Sequence, residues 1–360
     1  MVSVKLISGA LKTAVLEVKV LRRVFCFVKI PCWFFLLAVF FLPPSYAGGK
    51  AERSSQPVQG AAAKAEAITA ADSALLDTAE TSAAFSAPPA REIDRGELVM
   101  KALAAAYPDR VSPAVMRNGD WALTVYGEWY YYADGRLLPE ALVGKAAEYD
   151  PQPFYQYAAE LPPWTDPTEE ESLRMREMME RRRKNPAKRS HHFYDALFRA
   201  HNRDESWERV KQIHLFGLNV VVHYSILEDL SLVEEKILAL SKTNSEVRRW
   251  IAGLKSIDGW NWRNIAETSS RSFHSYGAAI DFLPKSLGGL ETYWQWTAQH
   301  NPAWWTVPYS RRFHPPKEVI EAFESCGFIW GGKWRTFDTM HFEYRPEILI
   351  FSKIPQAVFR

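Results

Sequence analysis

Two short stretches carry most of the information about the fold: SFHSYGAAID at residues 272–281 and DTMHFEY at residues 338–344. Within the first stretch, AAIDF is a short apolar run typical of a strand, and Asp281 interrupts it. Because side chains alternate across a strand, Ile280 and Phe282 would face one side and Asp281 the other. A carboxylate in apolar surroundings is costly to bury unless it has a partner. The sequence therefore predicts a specific partner for Asp281.

The second stretch offers that partner. MHFEY alternates in the same way, which places His341 and Glu343 on one face of a predicted strand. Asp338 lies three residues before His341, an odd offset that would send it to the wrong face of a regular strand. We therefore expect Asp338 on a turn or bulge at the start of the strand, from which its carboxylate could reach the site. His274 completes the set, seven residues before Asp281.

This combination of side chains is typical of a zinc site. Two neutral imidazoles and one carboxylate, here His274, His341 and Asp281, can hold one Zn²⁺ ion and leave its fourth position free for water. Zinc lowers the pKa of water to about 7 and polarises a substrate carbonyl. A second carboxylate is then needed to carry a proton from water to the leaving amine, and Asp338 has that chemistry. Alternatively, the histidines are ordinary core or surface residues, but the combined pattern favours metal.

These motifs resemble a known family. S-x-H-x-x-G-x-A-x-D at 272–281, WGG at 330–332 and D-x-M-H-F-E at 338–343 are similar to the M15-type (VanY-like) zinc D-alanyl-D-alanine carboxypeptidases and L-alanyl-D-glutamate endopeptidases. The resemblance covers roughly residues 245–350. It implies an α+β, hedgehog/DD-peptidase-like domain with a small antiparallel sheet carrying the zinc site. It also implies zinc ligands at His274, Asp281 and His341, with Asp338 as general base, a position where many relatives use Glu.

The resemblance also implies roles for three further residues. The segment NWRNI resembles the arginine-bearing strand of the family, so Arg263 would donate to the substrate carbonyl or to the tetrahedral oxyanion. A structural salt bridge is the alternative role for Arg263. Ser272 matches a family position near the ligand histidine and is expected to orient the substrate or the metal ligands, and Glu343 is expected to support the metal ligands.

The N-terminal segment, residues 1–47, has the pattern of an export signal. Basic residues precede an apolar run of about 13 residues at 30–42, and the small residues Ser45 and Ala47 stand before Gly48. The run is short for a membrane span of about 20 residues. We predict a signal peptide, with an uncleaved signal anchor as the alternative. The protein is therefore expected to be exported to the periplasm or cell envelope, and to be membrane-anchored if the signal is not cleaved.

Charge and cysteine content argue against a nucleic-acid-binding protein and against a fold held together by disulfides. The 360 residues include 44 basic and 42 acidic ones, a net charge of +2, so no nucleic-acid partner is expected. Residues 1–47 contain six of the basic residues and one of the acidic ones, which leaves 38 basic against 41 acidic. Cys26 and Cys32 lie in that segment, and Cys326 stands alone. Cys326 cannot form an internal disulfide, and we predict that it is a small buried residue.

Composition divides the rest of the chain into three parts. Residues 48–93 are rich in Ala and Ser and are predicted to be a disordered linker. Residues 94–210 form an accessory N-terminal region of unknown role, an extra α/β segment whose tyrosines and basic run at 181–189 leave wall anchoring or partner binding open. Residues 211–360 are the predicted zinc peptidase domain. In it, the apolar segment 214–226 is predicted to be one buried strand.

Taken together, the sequence predicts an exported zinc metallopeptidase. Its substrate would be an amide bond in peptidoglycan stem peptides, cleaved either as a D,D-carboxypeptidase or as an L-Ala-D-Glu-type endopeptidase. Peptidoglycan peptides are the expected partners, and membrane contact is expected only through an uncleaved N-terminal segment. The alternative function is a non-catalytic, zinc-containing peptidoglycan-binding module of the same fold. The carboxylate at position 338 argues against that alternative.

Overall fold

Short helices and three small antiparallel sheets make up the fold. The computed structural model describes residues 94–354. The predicted signal segment 1–47 and linker 48–93 lie outside the described residues. The mixed α+β class predicted from the sequence is confirmed.

The helices are mostly short, and four of the nine α-helices within residues 94–354 begin at a side-chain cap. Asp94 caps the first helix by accepting from the backbone N–H of Gly96, and Thr168 and Glu171 form a capping box at the second. In chain order the helices are α1 (Arg95–Ala106), α2 (Glu169–Lys184), α3 (His192–Phe198), α4 (Arg203–Trp207), α5 (Leu227–Ser241), α6 (Ser245–Gly253), α7 (Trp294–Ala298), α8 (Lys317–Glu324) and α9 (Pro346–Ser352). Within residues 94–354, none of the helices combines the length and the apolar character that crossing a bilayer requires.

The strands form a meander, a hairpin and a third sheet, which carries the metal-site residues. They are β1 (Val115–Arg117), β2 (Asp120–Val125), β3 (Glu128–Tyr131), β4 (Leu138–Pro139), β5 (Val210–Leu215), β6 (Leu218–His223), β7 (Leu254–Asp258), β8 (Ala279–Pro284), β9 (Phe328–Trp330) and β10 (His341–Tyr344). The meander runs β1-β2-β3-β4, and β5 pairs with β6. The third sheet, here called the site sheet, has the order β7-β8-β10-β9.

The prediction of one buried strand over 214–226 is wrong. The chain turns back at Phe216 and Gly217, so that β5 and β6 form a hairpin in which Leu215 pairs with Leu218. Both turn residues have positive φ, 50° and 79°, the backbone of a two-residue hairpin turn. Phenylalanine rarely takes this conformation, so Phe216-Gly217 is not one of the residue pairs by which such a turn is usually predicted.

The two faces of the site sheet differ as strand alternation predicts. Ile280, Phe282 and Phe342 are fully buried, and Phe342 stacks on Phe323 of α8 with ring centroids 4.2 Å apart. Asp281 pairs with His341 on β10, so the two polar side chains share the opposite face. The aromatic face packs the sheet into the core, and the opposite face carries the polar side chains of the candidate site.

Residues on both sides of position 210 share one hydrophobic core. Leu103 of α1 and Ile348 of α9 are both fully buried members of it. Tyr107, which follows α1, packs edge-on against Tyr344 of β10, with ring centroids 6.4 Å apart. The N-terminal region therefore stabilises the site sheet from behind.

A long segment of the N-terminal region, residues 151–189, packs beside the site sheet; we call it the strap. Its two ends come together because Asp150, the residue before the strap, forms an isolated bridge with Arg189. Between them, the hydroxyl of Tyr157 accepts from the backbone N–H of Trp330 at 2.9 Å. Further on, Met175 of α2 joins a second apolar cluster with Trp294, Trp304 and Phe337. These contacts hold the strap against the β9 edge of the site sheet and against Trp294 of α7.

Acid should weaken the fold through His223, at the end of β6. Its Nε2 donates to the carbonyl of Phe198 at 2.9 Å, and its Nδ1 accepts from the N–H of Ser225 at 3.1 Å. Burial lowers the pKa of His223 from 6.5 to about 4. A folded-state pKa below the unfolded value gives stability that is complete above about pH 6.5 and is lost as pH falls toward 4, by up to about 3 kcal/mol.

The measurement is the free energy of unfolding by denaturant at several pH values between 7 and 4. The His223→Gln variant has no group that titrates there, and its stability should fall less over the same interval. An identical pH dependence in wild type and variant would show that His223 is not responsible. His300→Gln, at an exposed position, serves as the control and should behave as wild type.

Candidate metal centre

His274, Asp281 and His341 converge on one point at the polar face of the site sheet. One ligand atom from each lies within 4.8 Å of the other two. His274 Nε2 is 3.2 Å from Asp281 Oδ2 and 3.2 Å from His341 Nδ1. His341 Nδ1 is 2.8 Å from Asp281 Oδ1. The structure therefore brings together the three side chains predicted as zinc ligands.

A tight turn between Ser272 and Gly277 places His274. The Ser272 side chain accepts from the backbone N–H of His274, and a 3-10 turn covers Phe273–Tyr276. Gly277 ends the turn with a φ of 65°, and a Cβ atom there would lie 2.7 Å from the backbone nitrogen of His223. Both the positive φ and the close approach require glycine. Ser272 thus fixes the backbone that carries His274.

The hydrogen bonds of both histidines fix which nitrogen faces the cluster. His274 Nδ1 lies 2.6 Å from the carbonyl oxygen of Gly259, and His341 Nε2 lies 3.2 Å from Glu343 Oε2. Because a carbonyl and a carboxylate only accept, these two nitrogens carry the protons in the neutral rings. The lone pairs of His274 Nε2 and His341 Nδ1 then point at each other. This is the arrangement that carboxylate and carbonyl partners give to metal-binding histidines.

The cluster fits a zinc ion. Tetrahedral zinc with bonds of about 2.0–2.2 Å holds its ligand atoms about 3.3–3.6 Å apart, slightly more than the separations here. The distances among the atoms of His274, Asp281 and His341 are 2.8 to 3.2 Å. Two lone pairs and an anionic oxygen at such separations repel one another unless a positive charge lies between them. The two nitrogens and one oxygen are the donor set of an open, catalytic type of zinc site.

The electrostatics of the cluster also favour a cation. Burial alone would raise the pKa of Asp281, but His274 and then His341 lower it well below its ordinary value. Burial opposes charge on His341 as well, yet hydrogen bonds and charges from Asp281 and Glu343 raise the pKa of His341 to about 10. The lowered pKa of Asp281 and the raised pKa of His341 have the same cause, because the carboxylates and imidazoles of this buried site together favour an added positive charge. A proton or a metal ion satisfies it.

Asp338 stands beside this cluster, on the turn that leads into β10 as the sequence predicted. Its backbone N–H donates to Gly331 at 3.1 Å, which fixes the turn. Its Oδ1 is buried and has no hydrogen-bond partner among residues 94–354. Burial, followed by the charge of Asp281, raises the pKa of Asp338 to about 6. A carboxylate with a free oxygen and a raised pKa is suited to exchange protons near neutral pH.

Arg263 does not lie on a strand, so that part of the prediction is wrong. β7 ends at Asp258, and Arg263 is on the loop that follows. The Ser275 hydroxyl accepts from the N–H of Arg263 at 2.9 Å and donates to its carbonyl at 2.7 Å, and the same carbonyl accepts from the N–H of Ser272 at 3.1 Å. The guanidinium is exposed and lines the cleft beside His274. No carboxylate among the described residues lies within 4.0 Å of it, so the alternative of a salt bridge is not supported.

Glu343 connects His341 to a buried chain of charges, which we call the relay. Glu343 Oε1 accepts from Arg345 Nη1 at 2.9 Å, and Arg345 Nε donates to Glu347. Arg345 is 4% exposed and Glu347 is fully buried. The relay therefore fixes the carboxylate that orients His341.

The far end of the relay belongs to the N-terminal region. Glu347 accepts hydrogen bonds from the hydroxyls of Tyr107 at 2.7 Å and Tyr194 at 3.0 Å. Sequence reasoning did not identify Arg345, Glu347 or either tyrosine. The signal available was a pair of opposite charges at 345 and 347, directly after the strand that carries His341.

Replacing Glu347 with Gln should destabilise the protein by about 3 kcal/mol, because it leaves part of the buried Arg345 charge unpaired. Denaturant unfolding of the metal-free protein at pH 7 measures this loss without reference to activity. Glu321→Gln is the matched control, since Glu321 is exposed and only faces Lys317 at 3.7 Å. A Glu347→Gln variant as stable as Glu321→Gln would contradict the structural role of the relay.

The candidate centre opens into a cleft of about 820 Å³. Its floor includes His274, Asp281 and His341, and the aromatic rings of Trp296 and Trp334 line its walls. Trp334 packs against His341 with ring centroids 5.3 Å apart, and its Nε1 donates to Tyr155 of the strap at 2.7 Å. A second cavity, of about 450 Å³, shares His274 and Asp281. The centre is thus accessible from a groove large enough for a peptide.

Comparison with known families agrees with this geometry. Residues 266–344 match a family model described as D-alanyl-D-alanine carboxypeptidase. The predicted family resemblance is confirmed. This peptidase-family segment contains the whole candidate metal cluster and Asp338, as well as Ser272 and Glu343. Arg263 lies just outside it.

The N-terminal region has a match of its own. Residues 99–154 match a model described as Domain of unknown function (DUF8518). No curated protein and no solved structure gave a significant match to the chain. The two matched segments meet at the relay, since Tyr107 lies in one and Glu343 in the other.

Proposed function

We propose that this protein is an exported zinc peptidase that hydrolyses an amide bond in the stem peptides of peptidoglycan. The observation that carries the proposal is the convergence of His274, Asp281 and His341 inside the peptidase-family segment, with Asp338 beside them. The N-terminal pattern supports export to the periplasm or cell envelope, as a cleaved or a membrane-anchored form.

His274, Asp281 and His341 would hold the ion, with the two histidine tautomers set by Gly259 and Glu343. When bound, zinc supplies Lewis acidity, which acidifies a water molecule and polarises the carbonyl of the scissile amide. The residues around it divide the remaining work among proton transfer, stabilisation of negative charge and exclusion of solvent.

Asp338 would transfer the proton. Its unpartnered Oδ1 would accept a proton from the attacking water and then deliver it to the leaving amine. The pKa of about 6 suits both steps, because the carboxylate is mostly ionised at neutral pH and is still basic enough to hold a proton briefly. Asp338 serves first as general base and then as general acid.

Arg263 would stabilise the negative charge that develops on the carbonyl oxygen. Its guanidinium lines the cleft next to His274 and has no competing carboxylate among residues 94–354. A donor held near the developing oxyanion lowers the barrier because the charge appears only in the transition state. The rings of Trp296 and Trp334 would exclude water from one wall.

The test is product analysis on a defined stem pentapeptide. The zinc-loaded protein, without residues 1–47, is incubated with the peptide, and new amines are identified by mass spectrometry. Release of D-alanine would mark a D,D-carboxypeptidase, and a new amino-terminal D-glutamate would mark an L-Ala-D-Glu endopeptidase. Absence of any new amine, under conditions in which the peptide binds, would refute catalysis and support the alternative of a binding module.

A further inference from the structure

Arginine side chains are concentrated in the cleft, and some of them have no counter-charge. Five arginines line it. Arg271 pairs with Asp195 at 2.5 Å, and Arg345 pairs with Glu343 at 2.9 Å. The other three have no carboxylate within 4.0 Å in the described part of the chain; they are Arg182, Arg189 and Arg263.

Two of these unpaired arginines belong to the strap. Arg182 lies in the last turn of α2, and its guanidinium sits over the ring of Trp294, 5.2 Å from the centroid. One terminal nitrogen donates to the carbonyl of Ala266 at 3.3 Å, whereas its buried Nε has no acceptor among residues 94–354. Arg189 donates from Nε to the carbonyl of Pro151 at 3.1 Å. Both side chains are thus anchored by neutral groups and keep unused donors.

The surroundings make this an electropositive position. Arg189 is half-buried; burial lowers the pKa of Arg189, and the charges of Arg182 and Arg345 lower it further, against an opposing effect of Asp150. The acidic residues that line the cleft belong instead to the site sheet and the turn before β10; they are Asp258, Asp281, Asp338 and Glu343. The cleft is thus lined by acidic residues of the site sheet, where the candidate metal centre lies, and by unpaired arginines of the strap.

Unpaired cations that are partly removed from water favour an anion between them. The planar guanidinium matches a carboxylate, which it binds through two parallel N–H donors. Aromatic walls at Tyr293 and Trp296 would accommodate the body of a peptide beside that carboxylate. A carboxylate on a peptide is therefore the anion that this cleft suits best.

We propose that Arg182 and Arg189 bind a free carboxylate of the substrate, away from the amide that is cleaved, so that the enzyme selects peptides whose carboxylate is not amidated. This rests on the proposed function and extends it to substrate choice. The strap lies outside the peptidase-family segment 266–344. Specificity would therefore come from the N-terminal region, which gives residues 151–189 a role in the site.

The experiment compares one stem pentapeptide with two analogues, in which either the C-terminal carboxylate or the D-glutamyl α-carboxylate is an amide. KM and kcat are measured with zinc-loaded wild type, Arg182→Gln and Arg189→Gln. Wild type should show a KM about 10- to 100-fold higher for one of the two amides, as expected for loss of a charge-assisted hydrogen bond. Each variant should lose this discrimination by raising KM for the acid while KM for that amide stays unchanged.

Arg183→Gln is the matched control. Arg183 is exposed on the same turn of α2 and does not line the cleft. The ratio of KM for the amide to KM for the acid peptide in Arg183→Gln should therefore equal that of wild type. Thermal unfolding of each variant checks that the strap still packs. The carboxylate subsite would be overturned if wild type had equal KM values for the acid peptide and both amides. It would also be overturned if the variants raised KM equally for the acid peptide and for the amide. Either result would leave the peptidase proposal intact.

If wild type cleaves none of the three peptides, the subsite is tested instead by measuring the affinity for each peptide by calorimetry. Tighter binding of the acid than of one amide, lost in Arg182→Gln, would support the subsite although the proposed peptidase activity had failed. No difference in affinity among the three peptides would overturn the subsite as well. An excess of inorganic phosphate as competitor tests selectivity: equal affinity for phosphate and the acid peptide would overturn the assignment to a peptide carboxylate.

Discussion

A His274→Ala variant should contain almost no zinc and should lose activity by about a thousandfold or more. The reason is that the cluster has three protein ligands, and two of them hold zinc poorly without the third. Without zinc, the pKa of water returns from about 7 to 15.7, so the nucleophile is no longer available at neutral pH. Zinc content per chain is measured by mass spectrometry, and activity on the stem pentapeptide is measured in the same preparation.

His214→Ala provides the control for this loss. His214 is exposed on β5 and lies in neither cavity described above, so zinc content and activity should remain at the wild-type level. Zinc stoichiometry near one in the His274→Ala protein would contradict the ligand assignment. Full activity in a zinc-free His274→Ala protein would contradict the whole mechanism.

The Asp338→Asn variant should keep its zinc and lose kcat by about 10²- to 10⁴-fold, the usual contribution of a positioned proton-transfer group. The amide has the shape of the carboxylate but cannot accept a proton from water. The thermal midpoint should not fall, because the amide removes a charge that burial at this position disfavours. Measurements of zinc content, kcat and thermal unfolding on one sample separate these effects.

Asp338→Glu is the conservative partner. It restores a carboxylate, so part of the activity missing from Asp338→Asn should return. Full activity in Asp338→Asn would show that another group moves the proton. Loss of zinc in Asp338→Asn would instead make Asp338 a ligand, which the three-residue cluster does not require.

Local patterns predicted the cluster because its geometry depends on short-range rules. Alternation along β8 and β10 placed Asp281 and His341 on one face, and the observed register pairs them directly. The odd offset of Asp338 correctly required a turn before β10. Alternation predicts the facing of a side chain correctly when the residue lies on a strand whose buried positions can be recognised from the sequence.

Long-range contacts escaped prediction because no local pattern encodes them. The hydrogen bond from Tyr107 to Glu347 joins residues 240 positions apart, and the strap reaches the cleft only through tertiary packing. The hairpin at Phe216 was missed because an aromatic residue occupies a backbone conformation that usually belongs to Gly or Asn. Arg263 was assigned to a strand, whereas a serine side chain holds its backbone in a loop.

The most direct test of the central claim is a crystal structure of the zinc-loaded protein with anomalous data at the zinc edge. We expect one zinc ion per chain, about 2.0–2.2 Å from His274 Nε2, His341 Nδ1 and a carboxylate oxygen of Asp281. An anomalous peak elsewhere, or no peak at this cluster with zinc in excess, would contradict it.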